Sequence, residues 1–301
     1  MSDSNGGTRT FSIYPIVGAV MMGQDVVGVV QDWDGINKDQ RRLIEEFLPA
    51  ARGELTHIPE MQALASSSPG DVSSFLSEHG FSGHASAETR ADVPVLHLVA
   101  ILSVSPEWRE RGGPCEVNAA SGGTYKGVRL QETSVSFYQS DSHPDPIACI
   151  NTKSFDRVFV TPFEVELAKN DPAFGLLDAA QRIEATLTDC HDFGELIIPK
   201  VVFQSSGTVD WLVGMGASVG ALRSRVASAT MGTRVGLDEG GIEVTTYAHV
   251  EIPLAAPSPL PPFVIDRPFL LWVSRGADTP AFPDPLVYPL FVGYFAEDSW
   301  V

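Results

Sequence analysis

Residues 233–262 read TRVGLDEGGIEVTTYAHVEIPLAAPSPLPP, and this stretch decides how the whole chain is interpreted. After a turn at Glu239, Gly240 and Gly241, small or apolar residues alternate with polar ones as far as Glu251. A period of two over this length predicts a strand with one buried and one solvated face. The prolines between 253 and 262 then favour an extended, exposed loop, because each proline removes a backbone donor.

The alternation divides this strand into two faces. The face without charge or proline carries Ile242, Val244, Thr246, Ala248 and Val250. The other face carries Glu243, Thr245, Tyr247, His249 and Glu251. Such a strand could occupy the middle of a sheet without burying a charge. An ordinary strand followed by a connector is the alternative interpretation.

The rest of the chain has the composition of a folded protein with many short elements. Of its 301 residues 44% are hydrophobic, and its 27 glycines and 22 prolines interrupt long helices and strands. Apolar runs predict a strand buried on both faces at 93–104, a helix at 179–187 and a strand at 196–203. Without regular βαβ alternation, this pattern predicts an α+β fold. We expect residues 1–301 to form one domain.

The charge and the cysteines exclude several classes of protein. A net charge of −18 argues against nucleic acid and against an anionic membrane surface as partners. Cys115, Cys149 and Cys190 are far apart and odd in number, which predicts free thiols. The first residues, MSDSNGGTRT, lack the pattern of a secretory signal. A cytoplasmic location is therefore the default expectation, and secretion remains the alternative.

Several short motifs, in a fixed order along the chain, resemble those of the serpins. The stretch from Glu239 resembles the hinge, reactive-centre loop and following strand of that family, and RPFLL at 267–271 resembles its strand signature. LFVG at 290–293 is similar to the closing strand. Upstream, IPKV at 198–201, the run from 95 to Trp108 and FSIYPI at 11–16 resemble further serpin segments.

The resemblance implies both an architecture and a mechanism. The fold would be α+β, with a large central mixed β-sheet, smaller sheets, surrounding helices and an exposed reactive-centre loop at about 239–262. A serine or cysteine protease would cleave the loop, and the freed strand would insert into the large sheet while the protease is still attached, as in a suicide substrate. The hinge would comprise Glu239, Gly240, Gly241, Ile242, Glu243, Val244, Thr245 and Thr246.

The resemblance, together with the spacing from Glu239, also gives the position of the scissile bond in the reactive-centre loop, called the bait bond below. It lies at Leu254–Ala255 or Ala255–Ala256, and these small or aliphatic residues suit an elastase-, subtilisin- or chymotrypsin-like protease. The resemblance also implies that Trp108 and Lys200 meet Glu239 at the breach, the point where the large sheet would open. No metal and no cofactor is expected.

Departures from the serpin pattern keep a second function open. Ala100 and Met231 stand where the family usually has an Asn and a His of a buried polar network. Ile242 and Val244 are bulkier and stiffer than the usual hinge residues. Insertion of the loop could then be slow, and a non-inhibitory binding or scaffold protein is the alternative.

An enzyme is the remaining class. Asp189, Cys190, His191 and Asp192, with Glu195 nearby, could suggest a metal or nucleophile cluster. Adjacent residues point in different directions, and no second His or Cys pair follows at ligand spacing. We therefore interpret this stretch as a solvated acidic turn and do not expect the chain to be an enzyme.

Overall fold

The computed structural model of the chain describes residues 7–26, 30–66, 68–81, 97–154, 156–164, 173–219, 222–241, 260–276 and 285–301. The chain forms two compact units. The first comprises Met1–Ser12, Val104–Gln204 and Thr233–Val301, and the second comprises Ile13–Ser103 and Ser205–Gly232. That the whole chain acts as a single domain stays a prediction.

Short strands outnumber helices among the described residues. The strands are β1 (Arg9–Phe11), β2 (Val30–Asp34), β3 (Met61–Ser66), β4 (His97–Leu102), β5 (Gly113–Asn118), β6 (Thr124–Gln131), β7 (Val135–Ser140), β8 (His143–Asn151), β9 (Asp156–Pro162), β10 (Leu187–Cys190), β11 (Glu195–Pro199), β12 (Val201–Thr208), β13 (Gly216–Val219), β14 (Leu222–Arg225), β15 (Thr230–Leu237), β16 (Pro262–Val264), β17 (Phe269–Arg275) and β18 (Phe291–Phe295). The helices are α1 (Ile13–Val26), α2 (Lys38–Arg42), α3 (Leu48–Arg52), α4 (Pro69–Glu78) and α5 (Gly175–Glu184), and a π turn at Leu43–Phe47 joins α2 to α3.

Two sheets organise the first unit. The larger has seven antiparallel strands in the order β1-β18-β17-β9-β8-β7-β10. The smaller has the order β16-β11-β6-β5, and among the described pairings only β11 with β16 is parallel. The expected α+β class is confirmed. Strand β12 pairs with β15 in a separate two-stranded sheet.

Strand β17 is an interior strand of the seven-stranded sheet and is buried along its whole length. It lies between β18 and β9, and all seven of its residues are buried. Trp272 stacks on Phe159 of β9 with ring centroids 5.0 Å apart. Glu184, at the end of α5, accepts hydrogen bonds from Trp272 Nε1 at 2.9 Å and from Ser274 Oγ at 2.6 Å. The RPFLL motif thus introduces an interior strand, in which Trp272 and Ser274 donate to a helix residue.

Two features of the second unit are the close packing of helix α1 on a pair of strands and the buried side-chain amide of Gln40. Helix α1 packs on β3 and β4, and a Cβ on Gly23 would lie 2.7 Å from Leu98 Cδ1, so only glycine fits without a shift. Gln40 of α2 is wholly buried, and its Nε2 donates to Trp211 O at 2.8 Å and to Val213 O at 3.0 Å. A buried amide with its bonds made is stabilising, and the same amide without them is costly.

Three sequence-based expectations for individual elements need correction. The helix expected at 179–187 ends at Glu184, because β10 begins at Leu187. The strand expected at 196–203 is two strands: Lys200 interrupts it, and its N–H donates to Lys126 O at 2.9 Å instead of continuing one ladder. In the 93–104 run, residues 97–102 form β4 and Ser103 and Val104 follow the strand. Of residues 97–104 only Ile101 is buried, since β4 pairs with β3 alone among the described strands.

A buried ion pair on β17 provides a test of the core. Arg275 Nε lies 2.8 Å from Asp156 Oδ1, and the two side chains are only 7% and 4% exposed. Replacing Asp156 by Ala leaves a buried guanidinium without this carboxylate, so we expect a loss of about 3–5 kcal/mol in the free energy of unfolding, measured by urea denaturation.

The control for this test removes both charges. The double variant Asp156→Leu/Arg275→Met removes both charges of this pair, so its stability should be within about 1 kcal/mol of the wild type or higher. An Asp156→Ala variant as stable as the wild type would contradict the assignment of this pair as buried and coupled.

Candidate functional site

The chain leaves β15 through a tight turn at residues 238–241, called the hinge turn below. Asp238 Oδ1 accepts a hydrogen bond from Gly240 N at 2.6 Å, and Asp238 N donates to Gly241 O at 3.1 Å. Gly241 has φ +147°, in the region that side chains rarely adopt. A Cβ there would lie 2.5 Å from Pro106 O. The turn therefore requires glycine both for its conformation and for its closeness to a neighbouring backbone.

That neighbouring backbone is residues 106–112, called the anchoring segment below. Trp108 N donates to Gly240 O at 3.1 Å, and Gly112 N donates to Glu239 O at 2.8 Å. The indole Nε1 of Trp108 donates to Asp238 O at 2.9 Å, and the side chain is 1% exposed. Three successive carbonyls of the hinge turn are thus bonded to the anchoring segment, which fixes the position of the turn.

An ion pair adds a side-chain contact to the hinge turn. Lys200 Nζ lies 2.6 Å from Glu239 Oε1, with the side chains 21% and 14% exposed. Partial burial works against the charged form of Glu239, but the hydrogen bond from Lys200 and the positive charges of Lys200 and Arg111 outweigh it and lower its pKa. Lys200 lies between β11 and β12, and Val301 N donates to its carbonyl at 3.2 Å, so its backbone is held as well.

The structure brings together some of the residues expected at the site. Trp108, Lys200, Glu239, Gly240 and Gly241 are all at the hinge turn or in contact with it. The other expected hinge and bait residues lie outside the described residues: Ile242, Glu243, Val244, Thr245, Thr246, Leu254, Ala255 and Ala256. Their roles stay predictions.

Sequence reasoning missed two residues that hold the hinge turn. Gly112 donates to Glu239 O, and a Cβ on it would lie 2.4 Å from Val128 Cγ1. Asp238 closes the turn with its side chain, as Asp often does before glycine. The signal for Asp238 was its place two residues before Gly240. For Gly112, the sequence offered only a Gly-Gly doublet at 112–113, which does not name its partner.

The stretch expected to be a solvated acidic turn is in part a strand, because Asp189 and Cys190 belong to β10, pair with β7, and Cys190 is buried. Cys190 Sγ lies 3.6 Å from Asp192 Oδ2 and accepts from Gln139 Nε2 at 3.8 Å. No group of three possible metal ligands occurs in the part of the chain that the structure describes. The three cysteines are free thiols, and burial raises the pKa of Cys149 to about 12. In the same described part, no helix has the length and apolar character needed to span a bilayer.

The fold of the chain is similar to that of solved serpin structures. Tengpin, a thermophilic serpin in its native state, matches with a TM-score of 0.65 and 11% identity, over 98% of this chain and 90% of that chain. Serpin48 from the insect Tenebrio molitor gives a TM-score of 0.62 and 10% identity, over 97% and 92% of the two chains. Thyroxine-binding globulin in complex with thyroxine gives 0.61 and 11%, over 97% and 93%.

These comparisons establish the architecture. No protein-family model matches the sequence, and no curated protein matches it. At 10–11% identity, the likeness to solved structures shows the fold alone. The chain has the serpin fold, as the motifs around the hinge turn and RPFLL had indicated.

The conformation of Gly241 leads to the first test of the site. Gly241→Ala would place a Cβ 2.5 Å from Pro106 O in a strained backbone conformation. We expect a loss of about 1–3 kcal/mol in the free energy of unfolding, or a displaced hinge turn with faster proteolysis after β15. Gly113→Ala is the control, because a Cβ at Gly113 meets nothing within 4 Å. If the two variants had equal stability and equal rates of proteolysis after β15, the close approach at Gly241 would be contradicted.

The ion pair predicts a pH dependence. The folded-state pKa of Glu239 lies below its ordinary value of 4.5, so the stabilisation is fully present above that pH and is lost as the pH falls through the folded-state pKa. A double-mutant cycle with Lys200→Met and Glu239→Gln should give a coupling of about 1 kcal/mol at pH 7. The coupling should decrease as the pH falls below 4.5 and through the lowered folded-state pKa of Glu239. A coupling that stays constant until Glu239 is fully protonated would show that the charge of Glu239 does not contribute.

Proposed function

We propose that this protein is a serpin-type inhibitor that acts as a suicide substrate of a serine or cysteine protease. One observation carries the proposal. Three carbonyls of the hinge turn accept hydrogen bonds from the anchoring segment, and the sequence that follows the turn has one face without charge, at positions 242, 244, 246, 248 and 250. In the proposed mechanism the hinge turn holds one end of the inserting strand in place. The alternation after Gly241 allows the strand to enter a sheet without burying a charge.

The energy for inhibition would come from strand insertion. Cleavage frees the residues after the hinge turn, and their entry into a sheet adds ladder hydrogen bonds and buries the uncharged face. The native state is then metastable relative to the cleaved state, a form of stored strain that cleavage releases. Catalysis by the chain itself is no part of this proposal, because the bound protease supplies the chemistry.

The target follows from the residues at the expected bait bond. Leu254, Ala255 and Ala256 offer an aliphatic or small side chain to the primary pocket of a protease. An elastase-, subtilisin- or chymotrypsin-like pocket accepts such side chains, whereas a trypsin-like pocket requires a basic residue. The similarity in fold to solved serpins supports a protease as the partner in general terms.

A matched pair of arginine variants tests the proposal. Thr246→Arg places a charge on the face that would be buried on insertion, and Thr245→Arg places the same charge on the solvated face. After incubation with subtilisin or an elastase, the wild type and Thr245→Arg should form a covalent complex that resists SDS. Thr246→Arg should be cleaved at the same bond with complex yield reduced at least roughly tenfold.

Two outcomes would contradict the proposal in different ways. Equal complex yields from both arginine variants would mean that the assigned faces, or insertion itself, are wrong. Cleavage of the wild type without any complex would favour the second candidate, a non-inhibitory binding or scaffold protein. The bulk of Ile242 and Val244 and the absence of the polar pair at Ala100 and Met231 favour that candidate.

A further inference from the structure

Three backbone hydrogen bonds form a closed triangle beside the hinge turn. Lys200 N donates to Lys126 O at 2.9 Å, Lys126 N donates to Val301 O at 2.7 Å, and Val301 N donates to Lys200 O at 3.2 Å. Each of the three residues thus gives one bond and accepts one. A shift of any one residue therefore disturbs its bonds to both of the others.

The place of Lys200 in the chain makes its backbone depend on this triangle. Strand β11 ends at Pro199 and β12 begins at Val201, so Lys200 lies between the two strands and belongs to neither. Its N–H is held by Lys126 and its carbonyl by Val301. These two bonds take the place of a regular ladder and fix the point from which the lysine side chain starts.

Residues 297–301, called the strap below, hold Val301 in this position. Glu297 accepts a hydrogen bond from Tyr125 OH at 3.1 Å. Trp300 is 6% exposed, and its ring contacts that of Tyr125 edge-on with the ring centroids 5.2 Å apart. Both contacts are made to β6, the strand that also contains Lys126. The strap is therefore attached to a sheet strand by side chains as well as by the backbone.

We propose that the strap positions Lys200 for its ion pair with Glu239. Val301 N holds the carbonyl of Lys200, and Lys200 Nζ lies 2.6 Å from Glu239 Oε1. A lysine loses side-chain entropy when its ammonium is held in one place, and a fixed backbone leaves fewer conformers to exclude. Val301 acts through Lys200 and is a positioning residue. The inference goes beyond the proposed inhibition, because it concerns the uncleaved chain and holds for a non-inhibitory protein as well.

A matched pair of substitutions at position 301 tests the role of its N–H. Val301→Pro removes the N–H that donates to Lys200 and keeps the carbonyl that accepts from Lys126. Trp300 has φ −82° and ψ 144°, a conformation that a residue before proline readily adopts. Val301→Ala keeps the N–H and shortens a side chain that is 44% exposed, so it is the control. Melting curves check that both variants fold.

The readout is the pKa of Glu239, measured by NMR of its carboxyl carbon. Partial burial works against the charged form of Glu239, and the hydrogen bond from Lys200 is among the interactions that lower its pKa. In Val301→Pro this pKa should rise toward the ordinary value of 4.5 or above it, and in Val301→Ala it should equal that of the wild type. A purely structural role of the strap would lower the melting temperature of Val301→Pro and leave the pKa of Glu239 unchanged.

Each outcome decides the proposal. A raised pKa of Glu239 in Val301→Pro, with Val301→Ala equal to the wild type, supports it. An unchanged pKa in both variants overturns it, and so does an equal rise in both, because the N–H would then not be the cause.

Hydrogen exchange of the wild type gives a second measurement, which decides if Val301→Pro does not fold. The amide of Val301 should exchange at least roughly tenfold more slowly than in an unfolded chain, because its bond to Lys200 must open first. Exchange at the unfolded rate overturns the proposal. Neither measurement involves a protease, so failure here leaves the proposed inhibition intact.

Discussion

The arrangement of the site depends on one close backbone approach, that of Gly241 to Pro106 and Glu107. A side chain at position 241 would overlap the carbonyl of Pro106, so the approach exists only because this residue is glycine. The hydrogen bonds from the anchoring segment to the hinge turn follow from it, since they require the two backbones at ladder distance. The ion pair of Lys200 with Glu239 then adds a side-chain contact to a turn that is already in place.

The sequence predicted the parts of this site that are local and failed where partners are distant. Alternation and glycine placement indicated the turn after β15, and the RPFLL motif indicated the strand that became β17. The contact of Lys200 with Glu239 was expected only through resemblance to serpins, because no periodicity relates residues so far apart. Gly112 was missed for the same reason: its partner, the carbonyl of Glu239, is set by topology.

The departures from the usual serpin pattern are consistent with each other in physical terms. A buried polar pair is stabilising only when both partners are present, and a single partner left alone costs about 1–3 kcal/mol. Replacement of both, by Ala100 and Met231, avoids that cost. It also removes polar contacts that would resist separation of the strands that carry them. In the proposed mechanism, control of insertion would come from elsewhere, and the backbone contacts around Gly241 are a described feature that could provide it.

Inhibition by strand insertion is a competition between two rates, insertion and hydrolysis of the acyl-enzyme. The favourable free energy of the inserted state does not decide that competition, because hydrolysis releases the protease whenever it is faster. In the proposed mechanism, the bulk of Ile242 and its stiffness at χ1 would slow entry of the strand into the sheet. A chain with this feature would trap only proteases whose acyl-enzymes hydrolyse slowly. Selectivity would then be set by the deacylation rate of the target as much as by the side chain at the bait bond.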